Sequence, residues 1–510
     1  MQIKSVTDGL WSSKWKEWLL PLSFLFGPLL NFGFYYVGLA YIDNSVRDYG
    51  FIIGQLIFAV VCGIYFLLAV SRNKLSKITV LCLLITILFF AGSFLAGLVN
   101  FGMTSAWKNY LVKFICFALP AGLAGICAAL SGGEKRFLQL MEKLSFFVFP
   151  GGVVYFSGVL VDCNPFGYGR SLGIVGYMSF AYTIMPFLLV HIIRVVDKEE
   201  LVLPFVNRTA VHPQIIRGIM ITVYWIAIIG SGTRGTYVCV IGFCLFLVVS
   251  KLFYREMAGN ALRVSAALIA VLLFAMFVYA PPGMRAVSRM NMFLEGLAQG
   301  EIVTHKDENV VSDDTLKELV DMEGDQQIIN RPTTPEEPTT PEEPTTPEEP
   351  TTPEEPTTPE EPGTPEEPAG SDILEQNITI GNRGTMYKLA FMEFLKSPVT
   401  GMGGVGGWPV KYGGNPHNVI LEAMCETGLL GTIPFILMVV LAIWNMLKAG
   451  KENRNVRYLM LIFLTYAIRA NIGGYLWQCD YLLCALGYGL TLPSVFHKKE
   501  EAAIGCMDKI

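Results

Sequence analysis

The apolar residues of this 510-residue chain are gathered into long, uninterrupted blocks. Each block holds roughly 18 to 25 residues, enough for a helix to cross a hydrocarbon core about 30 Å thick. Charged residues make up only 16% of the chain, whereas an average soluble domain has about 25%. The blocks do not alternate in polarity, as the strands of a membrane β-barrel would. The sequence therefore predicts an all-α polytopic membrane protein.

We predict about twelve transmembrane helices. They lie at about 18–40, 51–71, 78–99, 112–132, 144–162, 173–193, 215–231, 235–253, 262–281, 420–446, 457–474 and 477–496. The first is too long for a signal peptide and has no small-residue cleavage site, so we expect it to stay attached. The eleven cysteines show no CxxC and no metal-ligand spacing, and we expect no metal site from them.

The basic residues predict the orientation of these spans. With the N-terminus inside, every inner segment has at least three lysines or arginines, while the short outer loops have at most two. This matches the positive-inside rule and predicts that both termini are cytoplasmic. The predicted organisation is spans one to nine in 1–281, one large extracytoplasmic loop at 282–417, and spans ten to twelve with a cytoplasmic tail in 418–510.

The large loop contains a repeat that cannot form a core. Residues 333–362 repeat TTPEEP five times, and GTPEEP follows at 363–368. Frequent prolines and mutually repelling glutamates favour an extended polyproline II chain, on the order of 110 Å long if straight. We interpret the repeat as a disordered spacer or a tolerated expansion, and place the catalytic segment after it, at 381–417.

One candidate site residue lies in the short outer connection 231–235, which reads SGTRG. Its arginine, Arg234, must lie near the membrane boundary, where an unpaired guanidinium is costly. It can pair with a protein carboxylate or hold a phosphate through a bidentate fork. The outer-facing carboxylates available for the first alternative include Asp480, Glu422 and Glu426.

Further candidates lie around the large loop. Arg383 opens an apolar pattern at 384–396 that predicts an amphipathic helix along the outer surface. We interpret the glycine-rich segment 401–407 as a flexible turn that leads back to His417. Arg469, in predicted span eleven, is a further candidate, with Asp480 as a possible counter-ion. The other four histidines fall at inner helix ends, in inner segments or in the polar loop.

An ordered set of motifs resembles the O-antigen ligase and polymerase superfamily. The set is SGTRG, then GNRG, KSPVTGMGGVG, PHN and ETGLLG. The specific resemblance covers about 230–245 and 381–435, and elsewhere the similarity is one of topology. The TTPEEP insert departs from the pattern, but it lies upstream of the large-loop motifs.

The resemblance implies a metal-independent glycosyltransferase in the bacterial cytoplasmic membrane, without a cofactor or a nucleic-acid partner. Its donor would be a glycan on undecaprenyl diphosphate, and its acceptor a hydroxyl of a glycan or a lipid-linked molecule. Arg234 and Arg383 would bind the diphosphate and stabilise its charge. His417 would orient or deprotonate the acceptor hydroxyl, with inversion at the anomeric carbon. Asn418 and Arg469 would complete the substrate-binding residues.

Two activities within the superfamily remain open, a ligase that transfers the whole glycan and a polymerase that adds repeat units. The large loop and its His-Asn pair favour the ligase. A transporter or flippase would require paired charges near mid-bilayer and internal symmetry, and the sequence has neither. A purely structural scaffold would give these arginines and the histidine no reason to converge.

Overall fold

The computed structural model describes residues 11, 14–36, 44–73, 75–162, 177–201, 204, 209–279, 383–412 and 415–507. The predicted spacer at 333–368 and most of the predicted loop 282–417 lie outside these residues. The described part is helical and contains no β-strand. The predicted all-α class is therefore confirmed for this part of the chain.

The helices follow one another in the order of the predicted spans. They are α1 (Leu19–Tyr36), α2 (Asn44–Arg72), α3 (Lys77–Phe101), α4 (Ser105–Lys113), α5 (Leu119–Ser131), α6 (Glu134–Asp162), α7 (Tyr177–Val196), α8 (Pro213–Gly230), α9 (Arg234–Phe253), α10 (Gly259–Phe274), α11 (Arg383–Lys396), α12 (Gly407–Tyr412), α13 (Val419–Glu452), α14 (Arg454–Gly473) and α15 (Asp480–Met507). A π-helical turn, Phe114–Ala118, joins α4 to α5, and a second, Ala275–Tyr279, continues α10. A short 3₁₀ turn, Leu476–Gln478, lies between α14 and α15.

Each predicted span overlaps one of these helices. Within the described residues, 7 helices are long and apolar enough to cross a membrane. They expose large apolar side chains such as Leu67, Leu88 and Leu437, which suits a surface covered by lipid because the helical backbone needs no water. The chain is thus a multi-pass membrane protein, and the number of twelve spans stays a prediction.

Helices α5 and α15 pack closely in the interior. A Cβ on Gly125 would lie 2.2 Å from the Cys484 carbonyl oxygen, and a Cβ on Gly487 would lie 2.2 Å from the Gly122 carbonyl oxygen. Only glycine leaves room for backbones this close, as is common where membrane helices pack. This contact joins the C-terminal helix to the N-terminal half of the bundle.

One end of the bundle is held by ion pairs. Lys251, at the end of α9, lies 2.8 Å from Asp197, and Arg454, at the start of α14, lies 3.4 Å from the same carboxylate. Arg217 on α8 lies 2.7 Å from Glu142 on α6. These cations all belong to predicted inner segments, so the structure confirms that they share one end of the bundle. Which side of the membrane this end faces stays a prediction.

Candidate functional site

The α8–α9 connection lies at the opposite end. The Ser231 hydroxyl donates to the Thr233 hydroxyl at 3.1 Å, and the Thr233 N–H donates back to Ser231 Oγ at 3.3 Å. Arg234 then opens α9 with its side chain exposed. A Cβ on Gly235 would lie 2.3 Å from the Tyr182 hydroxyl. The connection therefore packs against α7 and leaves Arg234 at the surface.

The carboxylates suggested as partners for Arg234 are used elsewhere. Glu422 is 1% exposed and accepts the Leu476 N–H at 2.6 Å. Asp480 accepts a main-chain N–H at the start of its own helix at 2.8 Å. Glu426 is also buried, and Arg234 forms no ion pair with any residue that the structure describes. The alternative of a structural salt bridge for Arg234 is therefore wrong for this part of the chain.

A break in α13 holds the glycine-rich turn 401–407. Gly428 has φ 58° and is not helical, so the carbonyls one turn before it lose their usual i+4 donors. Instead, the Met402 N–H donates to the Cys425 carbonyl at 2.7 Å, and the Gly404 N–H donates to the Glu426 carbonyl at 2.8 Å. The two N–H groups after the break donate in return to the carbonyls at 398 and 399, at 2.7 and 3.0 Å. The predicted turn is present, but it is pinned to α13 rather than flexible.

The Glu426 side chain on α13 holds two loops, the glycine-rich turn and the connection between α14 and α15. One of its oxygens accepts the N–H groups of Gly406 and Trp408 at 3.2 and 3.3 Å, and the other accepts the Trp477 indole N–H at 2.6 Å. A carboxylate accepts hydrogen bonds only, so it suits a position that faces three donors. Glu426 therefore fixes the glycine-rich turn and the α14–α15 connection relative to each other.

Helix α11 is amphipathic, as predicted. Leu389, Ala390 and Phe394 are buried, while Phe391 and Leu395 are 45% and 56% exposed. The buried side packs into a small separate core with α12 and the first turns of α13. The exposed aromatic and aliphatic side chains are those expected to enter a lipid surface.

A buried carboxylate joins α11 to α12. Glu393 accepts hydrogen bonds from the Tyr412 hydroxyl and, at 3.0 Å, from Lys411 Nζ. Burial, together with the Glu393 carboxylate, raises the pKa of Tyr412 above its ordinary value. The hydroxyl therefore stays protonated and remains a donor, which keeps α11 in place.

His417 occupies a constrained position at the start of α13. Its φ is 54°, a left-handed conformation that few residues other than glycine adopt. Its N–H donates to Asn415 Oδ1 at 3.0 Å, and its ring centroid lies 5.5 Å from that of Tyr475. Asn418 Oδ1 caps α13, while its Nδ2 donates to the Asn471 carbonyl at 3.1 Å. These bonds fix the main chain from which the imidazole projects.

Arg469 lies near the same end of α14, among aromatic rings. Its guanidinium carbon is 4.0 Å from the ring centroid of Tyr182, 4.6 Å from that of Tyr481 and 5.7 Å from that of Tyr466. Stacking of this kind stabilises the cation without neutralising it. No carboxylate of the described residues lies within ion-pair distance of it, although Asp480 acts on it electrostatically from farther away.

A cavity of about 640 Å³ opens beside Arg469. Its polar lining includes Gln55, Asn109, Lys113, Arg469, Gln478 and Asp480. Lys113 was missed in the sequence analysis, although a lysine just inside predicted span four was a usable signal. Its Nζ lies 5.8 Å from the Tyr475 ring centroid, so Tyr475 contacts both Lys113 and His417.

The structure brings some of the predicted site residues together. His417 and Asn418 lie where α13 begins, and Asn418 bonds the Asn471 carbonyl two residues after Arg469 on α14. Tyr387 of α11 donates to the same carbonyl at 3.4 Å. Arg234 is connected to this group through Gly235 and Tyr182, but its own side chain is exposed. Arg383 begins α11, and its side chain lies outside the described residues.

Comparison with known proteins gives one match. Residues 219–436 match the family model described as O-antigen ligase. This segment includes Arg234, Arg383, His417 and Asn418, while Arg469 and the cavity lie outside it. No curated protein and no solved structure gives a significant match.

Proposed function

With an O-antigen ligase domain at residues 219–436, this chain belongs to the O-antigen ligase and polymerase superfamily, and on that premise we propose that it is a ligase-type glycosyltransferase. It moves a glycan from undecaprenyl diphosphate to an acceptor hydroxyl at the outer face of the cytoplasmic membrane. Both termini and the ion-paired end of the bundle face the cytoplasm, and the loop 282–417 faces outward. The observation that carries the proposal is the family match across the SGTRG and Pro-His-Asn motifs.

The donor side of the reaction needs positive charge. When the bond between the anomeric carbon and the phosphate oxygen breaks, negative charge develops on the leaving diphosphate. Arg234 and Arg383 bind this group, and Arg469 contributes its charge from the end of α14. The exposed side chain of Arg234 supports this role, because a guanidinium that pairs with no carboxylate of the described residues is available to a ligand phosphate.

The acceptor side needs a base that is held in position. His417 takes the proton of the acceptor hydroxyl as the new bond to the anomeric carbon forms, and direct attack inverts that carbon. An imidazole with a pKa of about 6.5 suits such a transfer at ambient pH. Asn418 donates one amide hydrogen to Asn471, and its second amide hydrogen remains for substrate.

A polymerase that extends the glycan with repeat units is the second candidate in the superfamily, since the same residues would serve either acceptor. A transporter or flippase is less well supported because the unpaired cations lie at one end of the bundle. A transfer assay separates the three. A ligase joins one glycan to a terminal acceptor, a polymerase produces a ladder of products, and a transporter forms no new glycosidic bond.

The test uses purified full-length protein with a lipid-linked glycan donor. We expect His417→Ala to bind donor normally but to lower turnover by about 10²–10⁴, the usual size of a general-base effect. His212→Ala is the matched control, since His212 is exposed and its side chain does not cap its helix. Arg234→Lys and Arg383→Lys should weaken donor binding, because an ammonium lacks the planar fork.

Transfer by the wild type should persist in EDTA, because no step is assigned to a metal. Near-normal turnover by His417→Ala would remove the assignment of the base. Loss of turnover on chelation would contradict the metal-independent mechanism.

A further inference from the structure

The cavity beside Arg469 is built by a different part of the chain from the family domain. It lies between α1, α2, α4, α7, α14 and α15, and none of its lining residues falls within 219–436. Its volume of about 640 Å³ is in the range of sites for small ligands. The matched domain therefore does not account for this cavity.

Its polar side chains have unused hydrogen-bonding capacity. Gln55 is 2% exposed, and its Nε2 has no hydrogen-bond partner among the described residues. A buried amide without a partner costs free energy unless a ligand or water satisfies it. The side chains of Asn109 and Gln478 add further amide groups, and the rings of Tyr182 and Tyr466 add aromatic surface. Amides that bond hydroxyls, next to rings that cover C–H faces, match the chemistry of a sugar.

The side chains that line the cavity carry more positive than negative charge. Arg469 and Lys113 both line it, and neither has a carboxylate within ion-pair distance among the described residues. Asp480, the acidic residue of the lining, acts on Arg469 from a longer distance. Glu422 acts on Lys113 in the same way, but it does not line the cavity. Two cations and one carboxylate therefore face the cavity, and an anionic group on the ligand would add a counter-charge at short range.

We propose that this cavity binds a sugar residue that carries a negatively charged substituent. The proposal rests on the proposed function, because it places that sugar beside the transfer site. Lys113 and His417 contact the same ring, with Lys113 Nζ 5.8 Å and the His417 ring centroid 5.5 Å from the Tyr475 ring centroid. The anionic sugar belongs either to the donor, as a sugar phosphate, or to an acidic residue of the acceptor.

The experiment measures binding without transfer, by ligand-observed NMR on the full-length protein in nanodiscs. The probes are glucose 1-phosphate, glucuronic acid and glucose. We expect at least one anionic probe to bind about tenfold more tightly than glucose, and Lys113→Met to abolish this difference. The matched control is Lys108→Met, on the same helix, which is exposed and does not line the cavity. Equal binding of all three probes, or unchanged discrimination in Lys113→Met, would overturn the proposal.

A second variant, Gln55→Met, separates a loss of sugar binding from a loss of folding stability. Gln55→Met removes the unpartnered amide and keeps a similar volume, so we expect equal or higher thermal stability together with weaker sugar binding. A purely structural Gln55 would give lower stability and unchanged binding, and that result would also overturn the proposal.

Competition with undecaprenyl diphosphate identifies the source of the sugar. Displacement of glucose 1-phosphate assigns the cavity to the donor, whereas glucuronic acid that stays bound assigns it to the acceptor. Binding that is intact while glycan transfer is absent would reject the proposed function and leave the sugar site standing.

Discussion

Gly97 on α3 is where the glycine-rich turn 401–407 comes closest to the membrane helices, and its replacement by alanine should separate the two. A Cβ at this position would lie 2.1 Å from the Val405 carbonyl oxygen. That oxygen belongs to the backbone of a turn already bonded to α13, and the Val405 N–H also donates to the Ser93 carbonyl at 3.1 Å. The turn therefore cannot yield without losing hydrogen bonds.

The expected cost of Gly97→Ala is that of overpacking, about 1–3 kcal/mol. Alanine also gains about 0.5–1 kcal/mol over glycine within a helix, so the best comparison is a second glycine on the same helix. Gly92→Ala provides it, because a Cβ there meets nothing within 4 Å. Helix propensity acts equally in the two variants, and their stabilities should differ by the overpacking cost alone.

Unfolding of both purified variants by titration with denaturing detergent measures this difference. Glycan transfer should fall with Gly97→Ala, because the displaced turn also carries the Gly406 N–H that binds Glu426. If Gly97→Ala is as stable and as active as Gly92→Ala, the turn is not packed against α3 in the way described, and the argument that it supports the site fails.

Three further predictions concern the scaffold and the topology. Both oxygens of Glu426 accept N–H groups, so in Glu426→Gln the new NH₂ group faces at least one donor in either orientation of the amide. The free energy of unfolding should therefore fall by about 1–3 kcal/mol. An unchanged free energy of unfolding would contradict the hydrogen bond to Trp477. Deletion of 333–368 should preserve folding and transfer, since loop-closure entropy changes by only ~0.6 kcal/mol per doubling of length. A correctly inserted but inactive deletion would show that the repeat has a function. In a cysteine-free background, Asp307→Cys should react with a membrane-impermeant maleimide on intact spheroplasts and Glu452→Cys should not, and the reverse pattern would invert the topology.

The helices and the order of the motifs were predictable because both depend on local sequence. Apolar length predicts a membrane helix wherever it occurs, and the spacing of 384–396 predicted an amphipathic helix whose buried side the structure confirms. Basic residues of the inner segments were predicted to share one end, and Lys251, Arg217 and Arg454 do so. None of these inferences required knowledge of which helices are neighbours.

The roles of the buried carboxylates were not predictable in this way. Glu422 and Glu426 were considered as partners for Arg234 because opposite charges attract, but each accepts N–H groups from segments distant in sequence. The Gly428 break that exposes carbonyls to the 401–407 turn also depends on packing. The cavity combines Gln55, Lys113 and Arg469 from three separate regions, which no local pattern connects.

The two ends of the bundle differ in how their cations are satisfied, and this difference indicates where ligands bind. At one end, Lys251 and Arg217 lie within 2.8 Å of protein carboxylates, and these ion pairs hold helices together. At the other end, Arg234, Arg469 and Lys113 form no ion pair among the described residues. Aromatic rings and, from a longer distance, Asp480 and Glu422 act on Arg469 and Lys113. This only partly offsets the cost of a cation near a membrane, because no described carboxylate lies within ion-pair distance. An anionic substrate that binds there would recover this cost, which is why the unpaired end is the one assigned to chemistry.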